Sequence, residues 1–179
     1  MTGRTLRPIA AFRLPMNFPA RLEAAHGLAD IFEVVKLAAS QKLGRTRGGL
    51  MLALADLGNS PGGFFGAFYF VASNVIVMNK VPLIRIQETR PELWKHYGFY
   101  VLLHEYLHSL GYVDEVRCRV LAHEISQDLF GEDHLATQIA ADVTQFFPSL
   151  VFPEAAWQPS DLRLEFVADF DRGNVGYIA

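Results

Sequence analysis

Residues 104–115 read His104-Glu105-Tyr106-Leu107-His108-Ser109-Leu110-Gly111-Tyr112-Val113-Asp114-Glu115. Val101, Leu102, Leu103, Leu107 and Leu110 recur around the histidines, which is the pattern of a helix sunk in a core. On such a helix His104 and His108 lie about 6 Å apart along the axis and about 40° apart around it. Both imidazoles therefore share one face and can converge on one cation. Glu105, one position on, reaches a cation-bound water rather than the cation. The alternative, histidines present only for packing, leaves buried polar rings and a buried carboxylate to be satisfied some other way.

Working outward, Pro91 and Glu92 suit the first turn of this helix, which then runs from Pro91 to about Leu110. Gly111 stops it. A glycine there can take a positive φ and swing the chain back beneath the histidines. A catalytic zinc takes three protein ligands and keeps one position for water. Asp114 falls where a compact site wants the third ligand; as the residue before a helix it is equally suited to be an N-cap. Glu115 is expected to point outward as a first-turn acid. A competing set is His123, Glu124 and Asp128, with Glu124 and Asp128 four apart on the next helix; the ordinary reading of all three is a charged helix face. Tyr112, beside the glycine turn, is a candidate donor to a developing oxyanion. His134 reads as a surface or capping residue, and His96 and His26 as structural.

The second helix is expected over Asp114 to Phe130, ending at Gly131, and a third from Glu132 to about Phe147. Upstream, Ala20 to Leu43 has helical spacing, closed by Gly44. Gly49 to Leu57 is a nearly continuous apolar run suited to a buried strand. Phe64 to Val71 and Asn74 to Asn79 read as strands that can form a hairpin, with Pro82 barring any longer strand. Leu162 to Phe170 is a weaker strand candidate. Residues 1–19 and 148–179 read as irregular, proline-punctuated segments.

The chain has 179 residues, a size for a single domain with a proper core. A net charge of −3 gives no basic footprint for nucleic acid. Lys42, Arg45 and Arg47 read as a solvated loop rather than a phosphate site. The sole cysteine, Cys118, allows no internal disulfide, so the cytoplasm is the expected compartment and small packing its expected role; zinc ligation or redox chemistry is the other option. The N-terminus lacks a signal-peptide pattern, and no run approaches the length of a membrane span.

The stretch 104–115 resembles the zincin metallopeptidases, and its H-E-x-x-H-x-x-G-x-x-D form is similar to the snapalysin-type metzincins, in which aspartate replaces the usual third histidine. H-E-x-x-H-x-x-G-x-x-D-E also resembles small zincin-like proteins of cytoplasmic type. The resemblance implies Zn²⁺ held by His104, His108 and Asp114, with Glu105 as catalytic base in peptide hydrolysis. It implies a single α+β, zincin-like domain over 1–179: a short mixed sheet of about three to four strands packed on an N-terminal helix and the H-E-x-x-H helix, followed by two further helices. An edge strand should run along the cleft, with Asn74–Asn79 the candidate. No methionine follows the motif to form a Met-turn, and the Glu124/Asp128 pair resembles the thermolysin-like pattern at too short a gap. The expected partner is a peptide or protein substrate, with neither nucleic acid nor membrane; the other function considered is a catalytically inactive zinc-binding interaction module.

Overall fold

The structure, a computed structural model, describes residues 16–58, 66–147 and 161–172. Helix α1 (Phe18–Glu23) starts where the Asn17 side chain accepts the Ala20 N–H, with Pro19 in its first turn. Helix α2 (Leu28–Leu43) follows from Gly27 and closes on Gly44. The helix expected over Ala20–Leu43 is thus two helices. The break at residues 24–27 lets Phe18 pack against Phe130 while α2 turns its own apolar face, Ile31, Phe32 and Val35, into the core.

Strands β1 (Met51–Ala55), β2 (Ala67–Tyr69) and β3 (Val75–Asn79) come next. With β4 (Glu165–Phe166) they form one sheet in the order β2-β3-β1-β4. β1 and β3 run parallel, Met51 opposite Val75 through Ala55 opposite Asn79. β2 and β3 form the expected antiparallel hairpin, and β4 adds antiparallel to β1. The sheet is therefore mixed and four-stranded, and the class is α+β. The edge-strand expectation needs correcting: β3 is interior, hydrogen-bonded on both sides, and β2 is an edge.

Helix α3 (Lys80–Thr89) grows directly from the end of β3. Asn79 caps it by accepting the Val81 N–H, and Pro82 sits in the first turn, where a missing N–H costs nothing. A short 3₁₀ turn (Pro91–Leu93) leads into α4 (Trp94–Ser109), then α5 (Glu115–Phe130), α6 (Leu135–Ala141) and α7 (Val143–Phe146). The single third helix expected to Phe147 is split at Asp142, whose carboxylate accepts the Thr144 N–H and starts α7.

The core centres on α4, which is buried around most of its circumference. Gly98 lets α2 approach closely; a Cβ there would lie 3.3 Å from Ile31 Cδ1. Leu52, Ile76 and Met78 bring one face of the sheet into the same core. The other face carries Ala53, Ala55 and Val77. Phe170 stacks on Phe32 at 4.1 Å, and Asp171 accepts from Lys36 and from the Leu50 N–H. These contacts dock residues 161–172 on α2 and β1, with a two-residue ladder where a strand over Leu162–Phe170 was expected. Of the irregular segments expected over residues 1–19 and 148–179, residues 1–15, 148–160 and 173–179 lie outside the described residues. Among those described, no helix is long and apolar enough to cross a membrane.

Candidate metal centre

α4 presents His104 and His108 one turn apart, their Nε2 atoms 3.1 Å from each other. After Ser109 the chain turns at Gly111, whose φ of 98° lies in the left-handed region. The Gly111 N–H returns to the His108 carbonyl and the Tyr112 N–H to the Leu107 carbonyl, which closes the helix end. α5 then starts back across α4, and its first residue brings a carboxylate to the histidines. Glu115 Oε1 lies 3.2 Å from His104 Nε2, and Oε2 lies 3.2 Å from His108 Nε2. The three ligand atoms are within 4.8 Å of one another, so His104, His108 and Glu115 form a group able to hold a metal ion.

Asp114 is outside that group. Its backbone is extended and its Oδ1 accepts the Arg117 N–H at 2.6 Å, which makes it the N-cap of α5. The structure therefore sets Glu115 beside the imidazoles in place of the expected Asp114. The reason is reach: the residue before the helix spends its short side chain on the helix end, whereas the first helical residue has one more methylene and projects toward α4.

His108 is held from behind. His108 Nδ1 meets the Tyr112 carbonyl at 2.7 Å. That nitrogen carries the proton, because a carbonyl only accepts, so Nε2 is left with its lone pair toward the centre. The Cys118 thiol donates to the same carbonyl at 3.2 Å. Cys118 is thus a buried packing residue, as expected, that also fixes the carbonyl; burial raises its thiol pKa to about 11. His104 Nδ1 is buried and meets no partner among the described residues, which leaves Nε2 as the polar outlet of that ring. Burial holds the His104 pKa down, against the pull of Glu115. For Glu115 itself burial pushes the pKa up, but His104 and Arg119 outweigh it and the net shift is downward. Two neutral imidazoles and one carboxylate suit a borderline-soft divalent ion such as zinc.

Glu105, next to His104 on α4, is 5% exposed and reaches β2. Burial, helped by the charge on Glu115, raises its pKa to about 8 in the metal-free site, while a hydrogen bond from the Tyr69 backbone N–H pulls it down. The edge strand thus touches the motif through a residue that the sequence does not point to. A second residue beside the motif is Tyr100, one turn before His104, its ring centroid 6.3 Å from the His104 ring. Its signal was available in the i, i+4 spacing of 100, 104 and 108.

The remaining candidates fall elsewhere. Asp128 pairs with Lys42, Glu124 is exposed, and neither they nor His123 enter the metal-binding group. His134 is indeed a cap, Nδ1 accepting the Ala136 N–H, and His96 is buried. Arg47 corrects the solvated-loop expectation: it donates to the Ser109 and Ser73 carbonyls and tethers its loop to α4 and the β2–β3 turn. Arg45 lies over the Tyr112 ring. Compared with known proteins, the chain matches no family model, no curated protein and no solved structure.

Proposed function

We propose that this chain is a zinc-dependent, zincin-like metallopeptidase with His104, His108 and Glu115 as metal ligands and Glu105 as general base. The observation that carries the reading is the convergence of two Nε2 atoms and one carboxylate beside a buried glutamate on the same helix. A zinc ion held by His104, His108 and Glu115 would supply Lewis acidity toward a substrate carbonyl and a water molecule. Glu105, held by the Tyr69 N–H, accepts the proton of the attacking water and returns it to the leaving amine. Glu115 is more than half exposed, so the centre is open to solvent and substrate on the α5 side.

Three variants and one assay test this. Purified protein is analysed for zinc and incubated with an unfolded protein substrate such as casein. Glu105→Gln should keep the metal and lose at least about 10²-fold in hydrolysis. Glu115→Ala should lose the metal. Asp114→Ala should keep it, with a fold weakened by about 1 kcal/mol through the lost cap. Zinc lost in Asp114→Ala but kept in Glu115→Ala overturns the ligand set. Zinc-loaded wild type without hydrolysis indicates a binding module instead.

A further inference from the structure

Tyr100 belongs to the row 100, 104, 108 that α4 turns toward α5, each position about 40° on from the last. Its ring leans on the imidazole of His104 at 6.3 Å, tilted by 54°. The side chain is half-buried. Its hydroxyl is within electrostatic reach of Glu105, Glu115 and Arg119, the base, the third ligand and the cation beside it. Arg119 is tied to Glu115 through Nε at 3.3 Å, and the Tyr100 ring leans on the other side of the group, at His104. No hydrogen bond engages that hydroxyl among the described residues. Tyr112, the candidate suggested by the sequence, serves instead through its backbone carbonyl, with its ring against Arg45.

A peptidase centre needs a donor for the carbonyl oxygen of the scissile bond, which gains negative charge as water adds. His104 and His108 are spent on the metal and Glu105 on the proton. We propose that Tyr100 is a catalytic residue that donates its hydroxyl hydrogen bond to that oxygen. The assignment rests on the peptidase reading above. No bond to Tyr100 forms or breaks: the proton stays on the phenol, which is neutral at working pH, and the hydrogen bond shortens as charge grows on the substrate.

Tyr100→Phe keeps the ring against His104 and removes only the donor. The zinc-loaded variant should cleave casein-derived peptides with kcat lower by about 10²-fold and KM within about twofold. A second readout needs no turnover. Inorganic phosphate, a tetrahedral oxyanion, is titrated onto zinc-loaded wild type and variant; its Kd should rise several-fold in Tyr100→Phe at unchanged zinc content. Equal kcat and equal phosphate affinity overturn the assignment, as does phosphate binding to neither protein. Zinc lost from Tyr100→Phe gives Tyr100 a structural role and also overturns it. Wild type that binds zinc and phosphate but cleaves no peptide removes the peptidase reading alone, and the phosphate comparison still decides Tyr100 as an oxyanion donor. Wild type that takes up no zinc overturns both.

Discussion

At the scale of single residues, Glu105 carries the sharpest consequence. Its carboxyl titrates near pH 8 in the metal-free fold against an ordinary 4.5. Between those values the folded state keeps a proton that the unfolded chain has released. Stability of the metal-free protein is therefore highest below about pH 4.5, as far as this group is concerned, and is lost as pH rises toward 8. The loss amounts to a few kcal/mol, at about 1.4 kcal/mol per pH unit. Glu105→Gln stays neutral throughout, so urea unfolding of the metal-free forms should show the variant gaining on wild type from pH 5 to 8. A constant difference over that range contradicts the burial argument. The same residues show what a sequence can tell. His104, Glu105 and His108 are legible because helical spacing is a local property. The third member of the group is not: Asp114 and Glu115 are adjacent acids, and which one caps the helix and which one lies beside the imidazoles depends on where the helix begins, to a single residue.

At the scale of elements, the junction of α1, α4 and α6 shows how helix ends are fixed. His96 Nδ1 donates to the Glu92 carbonyl, and its Nε2 faces Glu23 at 3.5 Å. The His134 ring lies 5.3 Å away and caps α6 with an unprotonated Nδ1. The His134 bond requires a neutral ring, and burial holds both pKa values below the ordinary 6.5; Glu23 opposes the shift in each, and at His96 so does the bond to the Glu92 carbonyl. The unfolded chain binds protons first, so this contribution is present above pH 6.5 and fades as pH falls below it. His134→Asn keeps a capping side chain without the titration. Its stability relative to wild type should rise between pH 6.5 and 5, and a pH-independent difference removes the junction as a cause. Most elements were readable from period and punctuation. α3 was not, because Pro82 reads as a strand breaker until Asn79 is seen to cap a helix. The Ala20–Leu43 break was hidden because apolar spacing continues across Gly27. Sheet order stayed out of reach, since β1 pairs with β3 and not with β2, the strand that follows it, and nothing local announces that pairing.

For the whole molecule, the question is whether a metal would be structural or only catalytic. His104, His108 and Glu115 join one turn of α4 to the first residue of α5. The core is built independently of that link: Phe18 and Leu22 from α1, Ile31 and Phe32 from α2, Leu52 and Ile76 from the sheet, and Ile125 and Ile139 from α5 and α6 all close on α4. Removing the ion should therefore loosen the corner and leave the fold standing, unlike small zinc domains whose core is the metal. Zinc present at about one hundred times its Kd adds roughly 2.7 kcal/mol. For a chain of this size that corresponds to about 5–10 °C in Tm. Differential scanning fluorimetry with zinc and with excess chelator should show that difference, with helical circular dichroism at 25 °C unchanged. Glu115→Ala should abolish the shift, and Asp114→Ala should retain it from a lower baseline. A chelated protein that unfolds at 25 °C would place the ion in the core's stability. No shift in wild type would leave the two histidines and the glutamate as an unusually arranged corner of α4 and α5, with the buried Glu105 unexplained.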